Sequence, residues 1–177
     1  KKKYFLIIES IKDIQLSNIK KLNKINIIYR NKNIEDSISE LSNFRKICKM
    51  KKIKLYIANN IDLCKFLKAD GIYISANNFS LNFRRYKNFN FNIIGSAHNR
   101  KEILIKKHQG CSEIIFSRLF KTSYKFKKDY LGVVKFNLLN ISNNNKLIPL
   151  GGIRLANLNK LKMLKCVSVV IFSEVKK

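Results

Sequence analysis

Short, almost continuous runs of hydrophobic residues recur along the chain and are separated by longer stretches of mixed polarity. The runs are rich in β-branched and aromatic residues, which favour strands. Continuous rather than alternating runs are typical of strands that are buried on both faces of a parallel sheet. We therefore predict eight strands, at Tyr4–Ile8, Ile25–Tyr29, Lys54–Ala58, Gly71–Ile74, Phe91–Gly95, Glu113–Ser117, Leu147–Leu150 and Val167–Phe172.

Segments with helical spacing of apolar residues lie between these runs, and in one of them Asn99 can cap a helix whose Ile103 and Leu104 face inward. Strands that alternate with helices indicate βα units and a parallel sheet. The pattern predicts an α/β fold, a single compact (β/α)₈ TIM-type barrel over residues 1–177 with a last helix that is short or absent. The predicted helices are Ser37–Met50, Asn60–Leu67, Asn99–His108 and Ala156–Leu164, and Asn140–Asn145 is predicted to be a polar surface loop.

The formal net charge of +26 is the least ordinary feature of the composition. Dense lysine and arginine favour binding to nucleic acid, but these residues are spread along the chain rather than clustered. The chain holds 30 Lys, 22 Asn and 26 Ile, residues whose codons are all A/T-rich, so a biased genome accounts for the excess. We expect no specific nucleic-acid partner, although the positive field favours anionic substrates.

Four cysteines lie in or beside apolar segments, and the chain has no Cys-x-x-Cys pair and two histidines. These features predict buried thiols rather than a zinc site. The apolar run after Lys1–Lys3 is too short for a signal peptide, and no segment approaches 18 apolar residues. We therefore expect a cytoplasmic protein without membrane spans. The cysteines are Cys48, Cys64, Cys111 and Cys166.

Short motifs stand at the ends of the predicted strands in a fixed order. The second strand leads to Arg-x-Lys, the third to Asn-Asn-x-Asp-Leu, and the fourth begins within Ala-Asp-Gly-Ile-Tyr. The fifth ends in Gly-Ser-Ala-His-Asn and the sixth leads to Phe-Lys-Thr-Ser-Tyr-Lys, while Pro-Leu-Gly-Gly-Ile and Val-Val-Ile-Phe-Ser end the last two. The motifs lie at Arg30–Lys32, Asn59–Leu63, Ala69–Tyr73, Gly95–Asn99, Phe120–Lys125, Pro149–Ile153 and Val169–Ser173.

In this order, the motifs resemble those of the thiamine phosphate synthases and the related thiazole tautomerases. The Ser-Ala-His-Asn segment is similar to a variant found in alphaproteobacterial members. The match spans nearly the whole chain. It implies a transferase of thiamine biosynthesis that joins hydroxymethylpyrimidine diphosphate to thiazole phosphate and releases diphosphate. Both substrates are small phosphorylated molecules, and the oligomeric state is left open.

The chemistry that the resemblance implies is a dissociative step, which needs groups that bind anions more than it needs acids or bases. Arg30 and Lys32 stand two residues apart after one strand, so their side chains share a face and can hold the diphosphate. Lys125 would bind the same diphosphate and act in catalysis, and Thr122 would donate a hydrogen bond to the thiazole phosphate. The remaining candidates for substrate binding are Asn59, Ser96, Gly151, Gly152, Phe172 and Ser173, of which the last four would form the phosphate site common in such barrels.

The resemblance also implies Mg²⁺, held in the family by two aspartates after the third and fourth strands. In this chain Asn59 and Asn78 stand at those positions. Hard cations favour anionic oxygen ligands, so the sequence predicts no metal ligand among them and leaves it open whether synthase activity is kept.

His98 is a candidate general acid or base because it follows the fifth strand. It is equally compatible with a loop residue that caps or packs. A thiazole tautomerase-like isomerase would use His98 near the thiazole, and a non-catalytic phosphate-ligand binder would not need it. These two functions are the alternatives to the synthase, and a basic nucleic-acid-binding protein is a third.

Overall fold

A computed structural model describes residues 2–18, 25–31, 36–88, 91–122, 129–144 and 146–171. Eight parallel strands form one sheet in the order β7-β6-β5-β4-β3-β2-β1-β8. Each predicted strand is confirmed, with bounds that differ by at most two residues. The strands are β1 Lys3–Ile8, β2 Ile25–Tyr29, β3 Lys54–Ala58, β4 Gly71–Ile74, β5 Asn92–Ala97, β6 Glu113–Ser117, β7 Leu147–Leu150 and β8 Ser168–Ile171.

The sheet curves into a nearly closed barrel, because β8 pairs with β1 while its other edge lies beside β7. Side chains at alternate positions fill the interior, as in a packed barrel core. The Phe5 and Tyr56 rings lie there with centroids 5.7 Å apart. The predicted (β/α)₈ architecture is confirmed. The interior cluster consists of Phe5, Ile7, Ile28, Tyr56, Tyr73, Ile94, Ile115, Ile148 and Val170.

Helices cover the outer face of the sheet, and three of the α-helices begin at a side-chain cap. The caps are Ser37, Asn60 and Asn99, whose side chains accept hydrogen bonds from backbone N–H groups of the first turn. Short 3₁₀ helices occupy Ile11–Asp13, Leu16–Asn18, Leu81–Asn88 and Leu155–Asn157. The α-helices are α1 Ile38–Met50, α2 Ile61–Phe66, α3 Arg100–His108, α4 Gly132–Ile141 and α5 Leu158–Leu161.

Two sequence-based expectations about helix surfaces are wrong. Leu104 is 56% exposed, because the inward position beside Ile103 on α3 is taken by Lys106. Asn140 belongs to α4 rather than to a surface loop, and its side chain is fully buried. Its amide oxygen accepts the Leu147 N–H at 2.8 Å and its amide nitrogen donates to the Lys165 carbonyl. The prediction assigned Asn140 to the surface because it is polar, whereas in the structure its side chain joins α4 to β7.

The prediction that the cysteine thiols are buried is confirmed for three of the four. Cys48, Cys64 and Cys111 are buried, and Cys166 is partly exposed. Burial raises the pKa of each of the three buried thiols to about 12. Within the described ranges, no helix has both the length and the apolar character that crossing a membrane requires. The segment after β8, where a last helix was predicted to be short or absent, lies outside the described residues.

Candidate active site

The carboxyl ends of the eight parallel strands form one rim, here called the barrel mouth, because parallel strands all point the same way. The described candidates that follow or end a strand lie at this rim. The structure therefore brings together residues that are far apart in sequence. They are Arg30 after β2, Asn59 after β3, Ser96 in β5, Thr122 after β6, and Gly151 and Gly152 after β7.

Asp36 is a buried carboxylate that links the ends of β1 and β2 at the barrel mouth. Its side chain is 5% exposed and accepts hydrogen bonds from the Ser10 hydroxyl and the Tyr29 hydroxyl, each at 2.8 Å. The Ile11 N–H donates to the same carboxylate at 3.1 Å. Burial, with a contribution from Asp36, raises the pKa of Tyr29 to about 12. The network ties β1, β2 and the start of α1 together beside Arg30, and the sequence motifs gave no sign of it.

Tyr73 and Ser96 form a hydrogen bond inside the mouth. The two hydroxyl oxygens lie 2.9 Å apart on neighbouring strands, and both side chains are buried. Burial raises the pKa of Tyr73, while the Ser96 hydrogen bond and the positive charge of Arg30 act in the opposite direction. Arg30 is anchored by its backbone N–H, which donates to the Ile8 carbonyl at 2.8 Å. The charge of a guanidinium therefore acts on a buried pair of hydroxyl groups at the β2–β5 side of the rim.

Asn59 and Asn78 contact each other directly through an arrangement here called the amide bridge, which also includes Ser75. The Asn59 Oδ1 atom accepts the Ser75 N–H at 3.0 Å and an Asn78 Nδ2 hydrogen at 3.1 Å. The Asn59 Nδ2 group donates to the Ser75 hydroxyl at 2.8 Å. Asn59 adopts a left-handed backbone with φ of 57°, which asparagine tolerates better than most residues. The bridge links the loops that follow β3 and β4.

Lys106 supports the amide bridge from below, and no sequence motif singled it out. The residue is fully buried, and its ammonium donates to the Ser75 and Asn78 carbonyls, each at 2.7 Å. Its third acceptor is Gln109 Oε1 at 3.0 Å. The Gln109 amide in turn donates to the carbonyls of Asn78 and Ser80 at 2.8 and 2.9 Å. Burial lowers the pKa of Lys106.

Gly95 makes room for the Lys106 stem. A Cβ atom at position 95 would lie 2.9 Å from Lys106 Cδ and 2.8 Å from Cys111 Sγ. Both distances are shorter than ordinary van der Waals contacts, so a side chain there would displace the lysine. The Gly-Ser-Ala-His-Asn motif therefore carries a packing requirement at its first residue as well as a candidate binding residue at its second.

The β6–β7 side of the mouth is joined through backbone atoms. The Leu119 N–H donates to the Leu150 carbonyl at 2.9 Å, and the Phe120 N–H donates to the Gly151 carbonyl at 3.0 Å. Gly152 has φ of 68°, and a Cβ atom there would lie 2.6 Å from the Phe120 carbonyl oxygen and 2.5 Å from that of Lys121. This position therefore needs glycine for its conformation and for close approach.

Arg118 and Thr122 lie beside this Gly151–Gly152 turn. The Arg118 Nη1 atom donates to Thr122 Oγ1 at 3.3 Å, and Arg118 Cγ lies 3.0 Å from where a Gly151 Cβ would be. The structure therefore brings Thr122 and the two glycines together, as the resemblance implied, and adds a guanidinium. No motif singled out Arg118.

His98 lies at the rim after β5, where it is exposed. Its backbone N–H donates to Glu102 Oε2 at 2.7 Å, while the Asn99 side chain caps α3. These contacts fit a residue that precedes a capped helix. Four other candidates, Lys32, Lys125, Phe172 and Ser173, lie outside the described residues.

The family model and the curated relatives that match this chain are thiamine-phosphate synthases. The model of a family described as thiamine monophosphate synthase matches residues 14–175. A thiamine-phosphate synthase of Prochlorococcus marinus is 30% identical over 139 residues, which cover 77% of this chain and 40% of that protein. One from Persephonella marina is 27% identical over 148 residues, which cover 82% of this chain and 70% of that protein.

A solved structure has the same fold. The thiamine phosphate pyrophosphorylase from Pyrococcus furiosus superposes with a TM-score of 0.74 at 17% identity, over 97% of this chain and 85% of that one. The chain spans between 40% and 47% of the length of the three Prochlorococcus proteins that it matches.

Proposed function

The chain belongs to the thiamine monophosphate synthase family, and we propose that it joins hydroxymethylpyrimidine diphosphate to thiazole phosphate. The family is shown by a match that covers residues 14–175. The reaction breaks the bond between the pyrimidine methylene carbon and the diphosphate oxygen, which leaves with the electron pair. The thiazole nitrogen then supplies the pair for the new C–N bond. Both substrates are anionic, so catalysis needs positioned cations and hydrogen-bond donors.

The observation that carries the proposal is that the loops after β6 and β7 are hydrogen-bonded to each other and closely packed. Backbone hydrogen bonds and the crowded Gly152 hold the Gly151–Gly152 turn against the Phe120–Thr122 segment. A small phosphate needs donors at fixed positions, and rigid backbone provides them without loss of conformational entropy on binding. We assign the thiazole phosphate to this turn, with the Thr122 hydroxyl and the Arg118 guanidinium as side-chain ligands.

The diphosphate is assigned to the opposite side of the mouth. Arg30 stands there on an anchored strand end, and its charge reaches the buried Tyr73–Ser96 pair. A guanidinium can bind diphosphate oxygens through two parallel hydrogen bonds. Lys32 and Lys125 are proposed as further ligands of the same group on the strength of the resemblance alone.

The described side chains at the expected metal positions do not fit the Mg²⁺ that the resemblance implies. Asn59 and Asn78 are neutral, and the Asn59 amide oxygen already accepts two hydrogen bonds. Among the described residues, no three side chains of His, Cys, Asp or Glu are grouped so that they could hold a metal ion. The proposed reaction therefore uses cations of the chain itself.

The test is the formation of thiamine phosphate from the two substrates by the purified chain. Arg30→Gln removes a proposed diphosphate ligand, and kcat/KM should fall about 100-fold, the effect of losing a strong charge-assisted hydrogen bond. Lys46→Gln on the exposed face of α1 removes the same charge away from the mouth and should leave the rate unchanged. Product formation that is equal in both variants would contradict the assignment of Arg30.

Absence of product in the wild-type chain, together with measurable binding of thiazole phosphate, would contradict the synthase proposal. It would favour the tautomerase or the non-catalytic binder instead. A tautomerase that uses His98 as its base would lose turnover in His98→Gln, whereas the synthase should keep it.

A further inference from the structure

The amide bridge accounts for every strong acceptor position of Asn59. A carbonyl oxygen has two lone pairs, and those of Asn59 Oδ1 are directed to the Ser75 N–H and the Asn78 amide at 3.0 and 3.1 Å. The Asn78 Oδ1 atom accepts the Ser80 N–H at 3.1 Å. A cation that used these oxygens as ligands would have to displace the hydrogen bonds that they accept, including the two at Asn59 Oδ1 that join the loops.

Two carboxylates at the same positions could not form this bridge. Ionised carboxylates only accept hydrogen bonds, and two of them at hydrogen-bonding distance repel each other unless a cation lies between. An amide both donates and accepts, so the two asparagines join without any ion. The Asn59–Asn78 contact therefore joins the two loops without needing an ion.

The positive charge of Lys106 beneath the bridge also argues against a metal ion there. The Lys106 ammonium occupies the carbonyl oxygens of Ser75 and Asn78, each at 2.7 Å. Gln109 Nε2 donates a second hydrogen bond to the Asn78 carbonyl at 2.8 Å. Backbone carbonyls are hard oxygen ligands that could complete a coordination shell, and here a built-in cation already uses them.

We propose that this chain closes the β3–β4 side of its barrel mouth by amide hydrogen bonds in place of a divalent cation, and that it binds diphosphate without one. The first half of this inference concerns the protein alone. The second half rests on the proposed function, because it takes diphosphate as the ligand of the mouth.

The first experiment uses the wild-type chain and Mn²⁺ alone, followed by the loss of the free-ion electron paramagnetic resonance signal. We expect no saturable one-to-one binding with a Kd below about 1 mM, the range of weak protein sites. Saturable binding in that range, abolished by Asn59→Ala, would overturn the inference. Catalytic activity does not enter this measurement, so a failure of the proposed function leaves it intact.

The second experiment measures the Kd of inorganic diphosphate by calorimetry, in excess EDTA and in Mg²⁺. We expect the two values to agree within about fivefold, less than 1 kcal/mol. A value tighter by a larger factor in Mg²⁺ would overturn metal-free binding. A chain that binds no diphosphate in either buffer contradicts the proposed function instead, and the Mn²⁺ titration then decides on the bridge.

A gain-of-function pair sharpens the test. Asn59→Asp combined with Asn78→Asp introduces two carboxylates and should bind Mn²⁺ at least about tenfold more tightly than wild type. The control combines Asn43→Asp and Asn144→Asp, two exposed positions, and adds the same charge. Equal Mn²⁺ affinity in the two double variants would contradict the role assigned to the amides.

Discussion

The β3–β4 and β6–β7 sides of the barrel mouth differ in which atoms hold their loops together. At β3–β4 one backbone hydrogen bond, from the Asn59 N–H to the Tyr73 carbonyl at 2.9 Å, is supplemented by side chains. The amides of Asn59 and Asn78 meet above, and Lys106 with Gln109 supports the loop below. At β6–β7 the links are backbone hydrogen bonds and a glycine that approaches two carbonyls closely. Substitutions on the first side therefore act by removing side-chain donors or acceptors, whereas substitutions on the second act by crowding the backbone.

This difference bears on the prediction that the chain keeps the glycine turn of the family and carries Asn59 and Asn78 in place of its two aspartates. A backbone-built phosphate turn depends on the absence of side chains, so any replacement of its glycine is costly. A side-chain bridge needs only complementary donors and acceptors, and an amide pair satisfies that need as well as two carboxylates with a cation.

The largest effect is expected for Gly152→Ala. The new Cβ would lie 2.5 Å and 2.6 Å from backbone oxygens, which cannot move without separating the two loops. We expect a loss of about 3 kcal/mol in the free energy of unfolding and about 100-fold in kcat/KM, the effect of misplacing a binding group by an ångström. Urea denaturation and the synthase assay measure the two effects.

Gly132→Ala is the matched control for that substitution. Gly132 also has a positive φ, 73°, but no described atom lies within 4 Å of its Cβ position. The cost should be only the backbone strain, about 1 kcal/mol, with kcat/KM unchanged. Equal losses in the two variants would mean that conformation, not close packing, makes the turn depend on glycine.

Lys106→Met tests the β3–β4 side of the barrel mouth, where side chains support the loop. It removes the donor shared by Ser75, Asn78 and Gln109 and leaves buried acceptors without it. We expect the free energy of unfolding to fall by about 3 kcal/mol. Lys107→Met, an exposed neighbour on the same helix, should change it by less than about 0.5 kcal/mol. A similar small change in both would show that the buried ammonium contributes little to the loop.

A smaller effect is expected for Thr122→Val, which keeps the shape of the side chain and removes its hydroxyl. The KM for thiazole phosphate should rise about tenfold, the contribution of one hydrogen bond to an anion, while the KM for the pyrimidine diphosphate stays the same. Thr122→Ser retains the hydroxyl and should retain the KM. Equal increases for both substrates would contradict the division of the mouth into two sides.

The smallest effect concerns thiol reactivity, which reports on the packing around Lys106. Burial raises the pKa of Cys111, beside Lys106, to about 12, so this thiol stays protonated as the pH rises through the ordinary range near 9. Cys166 is partly exposed and its pKa is also raised by burial. With a disulfide reagent at about pH 8, where the thiolate is the reactive form, Cys166 should react first. Faster labelling of Cys111 in native protein would show that the packing around Lys106 opens more readily than the packing around Cys166.

Most of the fold was predictable from the sequence, because strand positions depend on a local pattern. Each continuous apolar run became a strand, and caps such as Asn99 marked where helices begin. Helix α4 was missed because Val134 and Leu138 are exposed and blur its amphipathic pattern.

The site was less predictable, because its support comes from residues whose surroundings only the fold determines. Lys106 belongs to a Lys-Lys-His run that no motif singled out, yet it is fully buried. Asp36 and Tyr29 lie close in sequence, but their partner Ser10 comes from another strand end. The motifs named residues at the rim, whereas the side chains that hold the rim in place carry no motif.

The fit between Gly95 and the Lys106 stem has a consequence for how the chain can change over generations. A larger residue at 95 meets Lys106 Cδ at 2.9 Å, so it requires a shorter side chain at 106. A shorter side chain at 106, in turn, releases the loop after β4. The two positions and that loop should be inherited as a unit: among relatives, a residue larger than glycine at 95 should accompany a short residue at 106 and a different loop sequence.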